Sequence, residues 1–247
     1  MHSNRRPLWA GVLSALGLLL ALTGPVWAAS PTVKVALPTA TPSTLSLLFA
    51  LMAVTFLPAV ILTVTAFPRI IIVLSILRTA LGLQNTPPNL VLIGLSLFFT
   101  AFIMEPTLAQ INQVALTPYL AGHLALPIAL TRAETPFRTF LLQQTRPTDL
   151  AFLFHVQHLR VPRLPQQTPL FTLIPAFMLS QVSLAFEMGV LIYLPFVVID
   201  LAVSTIMMSM GMIMVPPTLV SLPIKLLLFV LADGWTLVFQ SLIQSFH

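Results

Sequence analysis

From Leu170 to about Val215 the sequence is almost continuously apolar, and its only charged residues are Glu187 and Asp200. Uncharged apolar runs of about 18 residues or more mark helices that cross a bilayer, because only a helix satisfies its own backbone polar groups in hydrocarbon. A second such run covers Leu45 to Phe67, a shorter one Leu90 to Met104, and a last one follows Pro216-Pro217 to about Ile243. Charged residues make up only 7% of the 247 and hydrophobic ones 57%, whereas soluble domains carry about a quarter charged residues. Lipid is therefore the expected solvent. The net charge of +5 is scattered and forms no run that tracks a phosphate backbone, which argues against a nucleic-acid partner. The absence of cysteine excludes disulfides and thiolate chemistry.

The N-terminus reads as a secretory signal peptide over residues 1–28: Arg5 and Arg6, then an apolar stretch from Leu8 to Leu22, then small residues. Cleavage is expected between Ala28 and Ala29; the alternative is an uncleaved first membrane helix. A short polar leader (29–44) precedes an all-α membrane protein of two helical hairpins, 45–104 and 170–247. Each is expected to turn at a Pro-Pro pair, Pro87-Pro88 and Pro216-Pro217. Between them, residues 105–169 are rich in Gln, Thr and Pro and carry five Arg, as expected of a small extramembrane domain of short helices, here on the outer side. The first membrane helix would then leave Arg69 and Arg78 on the cytoplasmic side. Pro175 and Pro195 are expected to break the long apolar run, and Glu105-Pro106 to end the helix that starts near Leu90.

A charge at a helix centre costs roughly 2.5–3.5 kcal/mol on insertion scales, so Glu187, Asp200 and Asp233 are expected to face protein or water. With the second hairpin turning at Pro216-Pro217, Asp200 and Asp233 would be level and Lys225 far from both. That places Glu187, Asp200, Lys225, Asp233, Arg69 and Arg78 among intramembrane or inter-subunit charges. Met207, Met208, Met210, Met212 and Met214 crowd Gly211 ahead of the Pro-Pro stop. Flexible, polarizable methionines suit a constriction that deforms around varied cargo, although methionine stripes are more often core packing. His155 and His158 lack further ligands for a metal, and no nucleophile–base pair or phosphate-cradling loop occurs, so neither cofactor nor enzyme activity is expected.

Four segments carry a family resemblance: AFPRIIIVLSILRTALG, NTPPNLVLIGLSLFFTAFIMEP, LLQQTRPTDL and the run PFVVID through GMIMVPP to ADGW. They resemble the FliP family of the flagellar export apparatus and its injectisome counterparts, from about Leu47 to Phe246. The resemblance implies a subunit of the type III protein export gate, through which unfolded flagellar axial proteins pass. It implies a homo-oligomer, a pentamer in the family, with FliQ and FliR, contacts to FlhA and FlhB, and a place in the inner membrane at the flagellar basal body. Carried onto this chain, the family's pore constriction falls at Met210, Met212, Ile213 and Met214, with Ile213 where the family often has Met. Gln181 and Ser183 stand where an acid and a lysine are usual, and Glu105 where a small residue is more usual. The alternative from another class is a small-solute or ion transporter with midplane carboxylates.

Overall fold

A computed structural model describes residues 42–247 apart from Arg163, Ile213 and His247. The expected signal peptide, its expected cleavage point at Ala28-Ala29 and nearly all of the expected leader lie outside the described residues. The contacts below are those within the compact unit Leu51–His247.

Among the described residues the regular structure is entirely helical: α1 (Pro42–Thr63), α2 (Phe67–Ala80), α3 (Asn89–Ile111), a π-helical turn (Asn112–Leu116), α4 (Thr117–Leu120), α5 (Leu126–Gln143), α6 (Pro147–Val156), a 3-10 turn (Pro165–Gln167), α7 (Leu170–Ser209), α8 (Pro217–Leu231) and α9 (Gly234–Gln244). The stretches Leu45–Thr63, Asn89–Leu120 and Leu170–Ser209 are long and apolar enough to cross a membrane, and α8 with α9 makes a fourth if a bent pair counts as one span. The chain is thus a multi-pass membrane type. Side chains along α1 are exposed, as suits a helix whose solvent is lipid.

Three sequence expectations are corrected. The helix of α3 does not stop at Glu105-Pro106: it runs through both and continues by the π-helical turn to Leu120. The run after Leu170 is not broken by its prolines; α7 is one helix of 40 residues with Pro175 and Pro195 inside it. Proline removes one backbone donor per site, and neighbouring helices make that loss tolerable in an apolar setting where unravelling would expose more groups. Finally, the segment after Pro216-Pro217 is two helices, bent by 65° between Leu231 and Gly234.

Packing centres on α2 against α7, with α3 and α8 alongside. Arg69, Ile70, Val73, Leu74, Leu77 and Ala80 put one face of α2 inside, and α7 answers with Leu173, Phe177, Gln181, Ala185, Gly189 and Phe196. Both series follow the i, i+3, i+4, i+7 spacing of one helix face. The bend between α8 and α9 forms where Asp233 adopts a left-handed conformation (φ 50°) just ahead of Gly234. A Cβ on Gly234 would lie 2.3 Å from the Phe229 ring. That ring belongs to an aromatic row: Phe196 to Phe229 at 6.4 Å, Phe229 to Trp235 at 5.4 Å, Trp235 to Phe239 at 6.0 Å and Phe239 to Phe99 at 3.9 Å. The row ties α7, α8, α9 and α3 together. Gly234→Val should push Phe229 out of it and destabilise the fold by about 1–3 kcal/mol, read as a lower thermal aggregation midpoint of the detergent-purified protein.

Candidate functional site

The methionine segment occupies the turn between α7 and α8. Gly211 has φ 75°, and the Gly211 N–H donates to the Met208 carbonyl while the Met212 N–H donates to that of Met207, both at 3.1 and 3.0 Å respectively. This is a Schellman closure, which needs a left-handed residue just past the helix and therefore favours glycine. Met207 still faces the core, only 5% exposed, whereas Met208, Met210, Met212 and Met214 point outward, Met214 to 97%. The turn thus presents Met210, Met212 and Met214 on a surface that the other described residues leave uncovered. Ile213, the fourth expected constriction residue, lies outside the described residues.

Behind this turn a polar clasp joins three helices. Lys225 on α8, nearly buried, donates to Asp200 Oδ2 on α7 at 2.5 Å and to the Ala80 carbonyl at the end of α2 at 3.1 Å. The expectation that Lys225 cannot reach Asp200 within one chain is therefore corrected. It counted Asp200 from Pro216, as if the helix ran on to Val215, but Gly211 ends α7 at Ser209. Measured from the true helix ends, Asp200 and Lys225 are each about eight or nine residues in, and hence level.

A second cluster surrounds Arg69, whose side chain is completely buried. Its Nε donates to Gln181 Oε1 at 2.9 Å, Nη1 to the Ser245 carbonyl at 2.7 Å and Ser245 Oγ at 3.0 Å, and Nη2 to Gln144 Oε1 at 3.1 Å. Gln181 and Gln144 are themselves fixed, donating to the Gln144 and Phe246 carbonyls at 2.9 Å each. The guanidinium lies 3.7 Å from the centre of the Phe246 ring. Burial, reinforced by the charge of Arg146, lowers its pKa to about 10, so it stays protonated at neutral pH. α2, at 14 residues, is too short to cross a bilayer alone.

Two of the remaining expected charges also find local partners. Glu187 pairs with Arg146, and Arg78 donates to Asn89 Oδ1 at 2.6 Å. Asp233 is the left-handed residue at the α8–α9 bend. The structure therefore brings Asp200 and Lys225 together, and keeps Arg69, Arg78, Glu187 and Asp233 apart from that pair.

A family model described as the FliP family matches residues 50–242. The chain is 47% identical to the flagellar biosynthetic protein FliP of Bacillus subtilis over 204 residues, covering 83% of this chain and 92% of the relative. It is 45% identical to that of Pectobacterium carotovorum over 237 residues (94% and 92%), and 42% identical to that of Aquifex aeolicus over 205 residues (81% and 85%).

The chain belongs to the FliP family.

In this FliP-family chain Gln181, which stands where the sequence resemblance expects an acid, makes the Arg69 cluster an arrangement of neutral acceptors. Sequence reading missed Gln144, Gln181 and Ser245 as partners of Arg69, and Arg146 as the partner of Glu187. The available signal was that Gln and Arg in apolar or half-buried helices need acceptors or counter-charges. Asp200→Ala would leave the Lys225 ammonium nearly buried without its counter-charge; it should destabilise the subunit by about 3 kcal/mol, and the paired change Asp200→Ala with Lys225→Met should recover most of that loss in a thermal aggregation assay. Gly211→Ala should cost about 1 kcal/mol through the left-handed backbone alone, with the same assay as readout.

Proposed function

We propose that this chain is a subunit of the flagellar type III protein export gate, seated in the inner membrane at the basal body. Several copies, five by the family's pattern, surround a channel with FliQ and FliR, in contact with FlhA and FlhB. Unfolded flagellar axial proteins pass through it. The observation that carries this reading, beside family membership, is the methionine turn: Gly211 closes α7 so that Met210, Met212 and Met214 face away from their own fold. A subunit surface of flexible apolar side chains, left open by one chain, suits a ring that seals on itself and yields to polypeptides of varied sequence.

A small-solute transporter needs polar groups free to bind its substrate near the middle of the membrane. Asp200 is held by Lys225 and Glu187 by Arg146, which leaves that reading little to work with.

Deleting the gene should abolish filament assembly and swimming while solute uptake stays at its parental rate, and the intact gene supplied in trans should restore both. Normal swimming in the deletion strain would overturn the export-gate reading.

A further inference from the structure

Glu105 is left without a role by the contacts described so far. It lies near the midpoint of the continuous helical run Asn89–Leu120, is exposed between the exposed apolar side chains of Phe102 and Leu108, and among the described residues has no hydrogen-bond or ion-pair partner. An ionised carboxylate on a membrane-capable helix must face protein or water rather than hydrocarbon. The opposite face of the same helix, at Ile103, Thr107, Gln110 and Val114, borders a groove against α5. That groove consists of two adjoining cavities of about 740 and 430 Å³, which share Gln110, Pro136 and Thr139. Among the described residues no carboxylate lines either cavity, and the cations there are Arg146 and Arg132. Arg146 is occupied by Glu187, whereas Arg132 is exposed and, among the described residues, unpaired. A free carboxylate on one face of a helix and a free guanidinium in the polar groove on its other face are the two halves of a head-to-tail contact, which repeats from copy to copy.

We infer that, in the assembled gate, one copy seats the Glu105 face of α3 against the groove of the next, where Glu105 pairs with the neighbouring copy's Arg132. This rests on the reading of the chain as a multi-copy subunit. Arg132 lines the groove beside Gln110, Gln113 and Val114, further along the helical run than Glu105.

The test uses the full chain, expressed with the rest of the flagellar genes in native membranes. Glu105→Arg and Arg132→Glu should each lower recovered oligomer and filament assembly about tenfold or more, and the double reversal should restore both. In the cysteine-free background, E105C combined with R132C should yield crosslinked dimers with a short bifunctional thiol reagent, and E105C combined with R160C should not. Single reversals that assemble normally, a double reversal no better than the singles at equal subunit abundance, or crosslinking to position 160 in place of 132 would overturn the pairing. Oligomers recovered by crosslinking through the methionine turn, without the 105–132 product, would overturn the pairing and leave the export-gate reading standing. No oligomer by either route would overturn both.

Discussion

A completely buried guanidinium must find acceptors or give up its place in the fold, and the neutral set around Arg69 meets that demand from three distant parts of the chain. Stripping a charge of water costs several kcal/mol even after relaxation, and among the described residues no carboxylate offsets the loss. Gln181 from α7, Gln144 from the end of α5 and Ser245 after α9 must therefore converge on the start of α2 together. Loss of any one leaves a buried N–H unsatisfied. The cluster accordingly fixes where the middle helices and the C-terminal segment dock.

The other end of α2 is held in a different way. The Ala80 carbonyl, one of those that a helix end leaves without an intrahelical donor, accepts from Lys225, and the same ammonium reaches Asp200. With Arg69 near one end and Ala80 at the other, α2 is pinned alongside α7 by polar contacts at both ends and apolar packing between. Glu187 and Asp200 sit on α7, and each is paired by a neighbouring element. The methionine turn begins only ten residues after Asp200, so the clasp at Lys225 also steadies the base from which Met210, Met212 and Met214 project.

Much of this was legible in the sequence. Apolar run lengths pointed to the long helices α1 and α7, the lack of alternation in the middle region favoured helices over strands, and the motifs around Arg69, Pro87-Pro88 and GMIMVPP pointed to the family. What failed was treating proline as a stop. Pro106, Pro175 and Pro195 all lie inside helices, because in an apolar environment unravelling a helix costs more than one missing bond. The misplaced end of α7 then hid the Asp200–Lys225 pair. Gly211 was the correct stop signal, five residues closer to Asp200 than Pro216, from which the counting ran, but its left-handed role depends on backbone geometry. The partners of Arg69 are distant in sequence, and no spacing rule links positions 69, 144, 181 and 245.

The central claim is that the outward-facing methionines line a path for polypeptide. A stalled export substrate should be trapped in intact cells while single photo-crosslinking residues stand in turn at positions 207, 210, 212 and 214. Substrate adducts at 210, 212 and 214, with none at 207, whose side chain belongs to the chain's own core, are the predicted result. Adducts at none of the three outward positions in cells that still assemble filaments, or adducts at 207 as strong as at the others, would contradict it.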